Sequence, residues 1–267
     1  MPTESVNGAE LYYESSGDGV PVVFLHGVLM SSRFFDEQQP LAEEYRTVTL
    51  DFRGHGRSEK TETGHTLPQY ARDLEALLDA RGLADIVLVG WSMGSLVAWE
   101  YVRQFGTDRF RGFVSVEQQP LDLEQAGYDH GVFDFDELRG LMELAQTDPH
   151  ELARSLIEQM LVDEPAAVEQ RLFDEITRVP PSITSAILFD QSVRDYRKTV
   201  PAVDVPTLVC LGEDETMLEN AGVEYVGERT PDAEVKRFPN SGHCPFLEAP
   251  EAFNEAVSSF ITNRCHP

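Results

Sequence analysis

Gly90-Trp91-Ser92-Met93-Gly94 follows the short apolar run Asp85-Ile86-Val87-Leu88-Val89 and precedes Ser95-Leu96-Val97-Ala98-Trp99-Glu100-Tyr101-Val102. The first run is β-branched and reads as a buried strand. The second contains neither Gly nor Pro and reads as a helix. The pattern G-x-S-x-G therefore occupies a strand-to-helix turn, the place of a nucleophile elbow. Glycine on both sides of the serine removes Cβ atoms that would collide in so sharp a turn, and the serine is pushed out at the end of the sheet. The N-terminus of the following helix then points at whatever binds there.

Outward from this turn, strands and helices alternate. Residues 10–14 and 20–25 read as strands joined by the turn Ser15-Ser16-Gly17-Asp18-Gly19, and residues 47–50 read as another. Residues 67–81 carry Leu67, Tyr70, Leu74, Leu77 and Leu78 at helical spacing, and Gly82 stops the helix. Further strands are expected at 112–116, 207–211 and 234–238, and a closing amphipathic helix at 253–261. This rhythm predicts an α/β fold, a mostly parallel sheet covered by helices on both faces. Residues 118–201 break the rhythm with helical patterns, such as 135–144 and 150–161, and no convincing strand. They read as a helical cap inserted into a core of residues 1–117 and 202–267, with Phe133, Phe135, Leu141, Met142, Leu188 and Phe189 as candidate pocket residues.

The bulk properties narrow the class. With 41% hydrophobic residues in 267, the chain can bury a core without a metal or disulfide staple. Its three cysteines, Cys210, Cys244 and Cys265, are too few and too scattered for a disulfide framework and suit a reducing compartment. No basic, apolar leader and no apolar run of membrane-spanning length is present, so a cytoplasmic location is expected. Asp and Glu number 47 against 21 Lys and Arg, a formal charge of −26. A field this negative argues against nucleic acid and anionic membranes as partners and leaves homo-oligomerisation open. It also reads as adaptation to high salt, where counterions screen the self-repulsion. The urea midpoint should then rise from dilute buffer to molar KCl, and equal midpoints would remove that reading.

A serine hydroxyl needs a base, and the base needs an acid to orient it and to stabilise its charged form. His243, in Asn240-Ser241-Gly242-His243-Cys244-Pro245, follows the last strand and can reach the end of the sheet where Ser92 emerges. The other histidines are less well placed: His55 and His65 precede the elbow, His130 and His150 fall in the insertion, and His266 is at the terminus. The acid is expected in the loop Gly212-Glu213-Asp214-Glu215-Thr216, with Glu117 at the end of the preceding strand a further candidate. Two backbone N–H groups should stabilise the oxyanion. One is Met93, after the serine. The other is Val28, in His26-Gly27-Val28-Leu29 after the strand at 20–25. No metal-ligand spacing, dinucleotide fingerprint or Walker loop occurs, so neither cofactor nor metal is expected.

Several stretches, in order, resemble the α/β-hydrolase superfamily, in its branch of non-haem haloperoxidases, arylesterases and enol-lactonases. They are Phe24-Leu25-His26-Gly27, Asp51-Phe52-Arg53-Gly54-His55-Gly56-Arg57-Ser58, the elbow itself, Pro206-Thr207-Leu208-Val209 with Gly212, and Gly242-His243 with Pro245-Phe246-Leu247-Glu248-Ala249-Pro250-Glu251. The resemblance implies an α/β-hydrolase fold and a structural role for the loop at 51–58. It places the acid three residues after Gly212, at Glu215, with Asp214 reached by a one-residue shift and Glu117 matching relatives whose acid follows the preceding strand. The implied activity is a serine hydrolase of a small carboxylic ester or lactone, working through an acyl-enzyme. Serine at the elbow, where dehalogenases and epoxide hydrolases of this superfamily carry aspartate, argues against both. The alternatives are a cofactor-free oxygenase of the same fold, whose acid falls at Glu117, and a ligand receptor that retains the triad.

Overall fold

A computed structural model describes residues 2–162 and 166–265. Eight strands form one sheet: β1 (Thr3–Val6), β2 (Ala9–Ser16), β3 (Pro21–Leu25), β4 (Arg46–Leu50), β5 (Ile86–Trp91), β6 (Phe110–Val116), β7 (Thr207–Gly212) and β8 (Ala233–Phe238). Their spatial order is β1-β2-β4-β3-β5-β6-β7-β8. The pairs β1/β2 and β2/β4 are antiparallel, and all the others are parallel. The chain builds outward from β3 to β4, then returns to place β5 on the other side of β3. Strand order therefore reverses between β3 and β5, and in such sheets ligands bind in the crevice beyond the carboxyl ends of the strands at that point.

The helix α1 (Leu67–Ala80) begins at Thr66, whose hydroxyl accepts the Gln69 N–H, and it buries Leu67, Tyr70, Leu74, Leu77 and Leu78 as their spacing predicts. The helix α2 (Met93–Phe105) starts directly after Ser92, earlier than the run from Ser95 implies. Among the described residues, four α-helices stand between β6 and β7, namely α3 (Phe135–Thr147), α4 (Pro149–Met160), α5 (Ala166–Arg178) and α6 (Pro181–Ser192), followed by a short 3-10 helix at Val200–Ala202. Asp134 forms a reciprocal capping box with Glu137 at the start of α3, and Asp148 accepts the Glu151 N–H at the start of α4. After β7 come α7 (Asn220–Arg229), α8 (Pro245–Glu248) and α9 (Pro250–Arg264). Residues 32–43 add a stretch of 3-10 helix. Among the described residues no helix is long and apolar enough to cross a membrane.

The loop at 51–58 is a knot of buried polar bonds. Asp51 accepts Ser32 N–H at 2.7 Å and Arg57 N–H at 2.6 Å. Ser58 Oγ donates to Asp51 O at 2.5 Å and accepts Tyr12 N–H at 2.8 Å. The Arg53 guanidinium grips Asp73 of α1 with two bonds, of 2.7 and 2.9 Å, and both side chains are buried. A buried pair is not a strong net stabiliser, but removing one partner strands the other charge. Arg53→Met should therefore cost about 3–5 kcal/mol in urea unfolding. Arg53→Met combined with Asp73→Leu should be more stable than the single change, and an equal or larger loss in the double variant would refute this account of the pair.

Candidate active site

The backbone at Ser92 is forced. Its φ of 51° and ψ of −121° lie where few non-glycine residues sit. The turn is held on both sides: Ser92 N–H continues the ladder to Val116 O at 2.9 Å, and Ser95 Oγ donates to Gly90 O at 2.6 Å. A Cβ at Gly90 would stand 2.7 Å from the backbone of Gly94 and Ser95, and one at Gly94 would overlap Leu25 O of β3. Both glycines are thus required by close approach. Met93 opens α2, where the first N–H groups have no intrahelical acceptor. Leu25 pairs with Gly90 across β3 and β5, so the 26–29 loop leaves the sheet beside the elbow.

His26 fixes that loop. Its Nδ1 lies 2.7 Å from Gly27 O and its Nε2 accepts Phe52 N–H at 3.0 Å, a pattern only the neutral Nδ1–H tautomer satisfies. Burial lowers its pKa, in keeping with a neutral ring. Val28 is half-buried and packs against a cluster of Ala145, Leu152 and Leu188, with Leu141, Leu144 and Leu156 beside it. Apolar side chains of α3, α4 and α6 therefore reach the loop that carries one predicted oxyanion donor.

His243 stands 2.6 Å, through Nδ1, from Glu215 Oε2, and both side chains are almost wholly buried. Glu215 Oε1 accepts Met217 N–H at 2.5 Å. Burial pushes the Glu215 pKa up. The His243 charge and hydrogen bond, the Met217 N–H and the neighbouring Glu117 carboxyl outweigh it, so the net shift is down. Asp214, the neighbouring candidate, is exposed, with its backbone N–H bonded to Ser241 O at 3.0 Å. Glu117 is buried at the end of β6 and accepts Gly212 N–H through Oε1. Glu117, Glu215 and His243 also form the one group among the described residues that could hold a metal ion, each offering an atom within 4.8 Å of the others. The bond from His243 to Glu215 already uses Nδ1.

Two contributions escaped sequence reasoning. The Trp91 indole N–H donates to His243 O at 2.9 Å, and its ring packs against Phe246 at 4.8 Å between centroids. A Cβ at Gly27 would meet the same ring at 3.2 Å. One side chain thus braces the 26–29 loop, the elbow and the His243 loop. Glu248 Oε2 accepts Gly242 N–H at 2.8 Å, Ser241 Oγ–H at 3.1 Å and Cys244 N–H at 3.3 Å, tying the His243 loop to α8. Of the candidate pocket residues, Leu188 is buried and Leu141 packs beside it, whereas Phe135 and Phe189 are exposed. His55 is buried with Nδ1 near Arg53 O, His65 bonds Thr61 O, and His130 stands beside Glu219. His150 lies against the Phe173 ring, and His266 lies outside the described residues.

A family model for the alpha/beta hydrolase fold matches residues 20–250. The AB hydrolase superfamily protein YisY of Bacillus subtilis is 26% identical, over 94% of each chain. A non-heme haloperoxidase of Rhodococcus erythropolis is 27% identical, over 96% of this chain and 97% of its own. Among solved structures, an esterase from Exiguobacterium antarcticum matches with a TM-score of 0.93 over 98% of both chains, at 26% identity. The eight-stranded, mostly parallel sheet, the strained serine between β5 and α2, and a family match over most of the chain lead to one assignment: this chain belongs to the α/β-hydrolase fold family.

Proposed function

We propose that the protein is a serine hydrolase of small carboxylic esters or lactones. In this reading Ser92 is the nucleophile, His243 the base and Glu215 the acid, Val28 and Met93 donate to the oxyanion, and residues 118–201 form the cap. One observation carries it: a buried imidazole bonded through Nδ1 to a buried carboxylate, on a loop that the residue before Ser92 holds by a hydrogen bond. With Nδ1–H given to Glu215, His243 Nε2 is unprotonated and available as the base. The esterase name of a structurally similar protein agrees with that chemistry.

The proposed cycle begins when Ser92 Oγ adds to the carbonyl carbon as its proton passes to Nε2. The resulting oxyanion lies against the N–H groups of Val28 and Met93. Collapse breaks the bond to the leaving oxygen, which takes the proton from Nε2 and departs as an alcohol, or stays tethered when the substrate is a lactone. Water then adds to the acyl-enzyme through the same base, releasing the carboxylic acid and restoring Ser92. Pairing of His243 with Glu215, and not with Glu117, favours this reading over the oxygenase. A panel of p-nitrophenyl esters, aryl esters and lactones tests it. Turnover of at least one class is expected, and oxygen uptake with a hydroxyquinolone in the absence of any ester turnover would overturn it.

A further inference from the structure

Glu117 is a fully buried acid placed where a second negative charge should not be. Its φ of 46° is in the left-handed region, a strained setting for a residue with a long side chain, held by its N–H to Cys210 O at 3.0 Å. Oε1 accepts Gly212 N–H, while Oε2 is buried with no hydrogen-bond partner among the described residues. A Glu117 oxygen lies within 4.8 Å of one from Glu215 and of a His243 ring nitrogen. Around it stand Glu215 after β7, Glu248 of α8, the Cys210 thiol of β7 and His243. Two buried carboxylates this close cannot both keep their charge. Glu215 has the better claim, since it holds His243 and the Met217 N–H.

We propose that Glu117 is the protonated half of a carboxyl pair, turning its O–H toward Glu215, and that it acts as a positioning residue by steadying that carboxylate against His243. The inference rests on the triad reading above. Burial and the Glu215 charge both push the Glu117 pKa well above the ordinary carboxyl value, and the Gly212 N–H offsets this only in part. A neutral donor withdraws electron density from Glu215 and keeps it from over-stabilising the imidazolium. Glu117 therefore sets where His243 becomes a usable base.

Glutamine at this position keeps a neutral donor and an acceptor for Gly212, whereas leucine keeps neither. Glu117→Gln should retain the acid limb of kcat/KM within experimental error. Glu117→Leu should move it upward by about one pH unit, matched by the His243 titration in NMR of histidine-labelled protein. Asp122, which burial raises to about 7 near His243, is left intact in both variants. Infrared difference spectra at neutral pH should show the C=O band of a protonated carboxyl in the wild type that Glu117→Gln removes. A downward shift of the limb in both variants would mean that Glu117 is ionised and overturn the proposal. So would an unmoved limb in both, or the absence of the band. If no ester is turned over, the hydrolase reading fails, while the His243 titration and the infrared band still decide the state of Glu117. If the leucine variant does not fold, the glutamine variant and its infrared spectrum decide.

Discussion

Ser92→Ala is expected to lower kcat on a p-nitrophenyl ester by about 10⁵-fold or more, since the bond-forming oxygen is gone and only binding and the oxyanion donors remain. The change should leave folding almost untouched, within about 0.5 kcal/mol. Alanine keeps a Cβ, so the strained backbone at 51° is no better and no worse off, and the N–H bond to Val116 O persists. Ser92→Gly should be equally inactive yet more stable by about 1 kcal/mol, because glycine adopts this conformation without strain. Stability gained by removing the reacting group would mark the strain as tied to function. Substantial turnover by Ser92→Ala would show that another group performs the chemistry.

Glu215→Gln should cost about 10³–10⁴-fold in kcat, a loss out of proportion to a change of one atom. The reason is orientation. Met217 N–H needs an acceptor and holds the oxygen at the Oε1 position. The new amide nitrogen is therefore left opposite His243 Nδ1, where the carboxylate oxygen stood at 2.6 Å. Two donors cannot face each other, so the ring takes the Nε2–H tautomer and loses its basic nitrogen. Asp214→Asn, at an exposed position, should change kcat by less than about twofold. The same carboxylate carries a pH signature. Its folded pKa is depressed, so it stabilises the fold above the ordinary value of 4.5, and that contribution is lost as pH falls through the depressed one. Glu215→Gln should flatten unfolding free energy against pH on the acid side.

The elbow was legible because its meaning is local. An apolar run, two glycines around a serine and a helix without breakers lie within eighteen consecutive residues, and the strain at Ser92 follows from that sequence. Most strands were legible for the same reason, as apolar β-branched runs. The strand β1 was not, because Thr3-Glu4-Ser5-Val6 is short, polar and at the sheet edge. Nor was α7, which contains Gly222 and Gly227 and begins without a side-chain cap. The proposed acid at 215 needed the superfamily spacing, since Glu213, Asp214 and Glu215 are indistinguishable in a chain with 47 acidic residues. Burial separates them. The meeting of Glu117 with Glu215 depends on parallel pairing of β6 with β7 across the whole four-helix segment, which no local pattern encodes. Glu248 stayed hidden likewise, as one more acid until its oxygens were seen to accept three groups of the His243 loop.

Labelling with a fluorophosphonate, followed by peptide mapping, asks most directly whether position 92 is activated by position 243. The expected result is one adduct, on the peptide carrying Ser92, formed rapidly in the wild type and slowed by several orders of magnitude in a folded His243→Ala variant. An adduct elsewhere, or a labelling rate at Ser92 that is indifferent to the loss of the imidazole, would contradict the account.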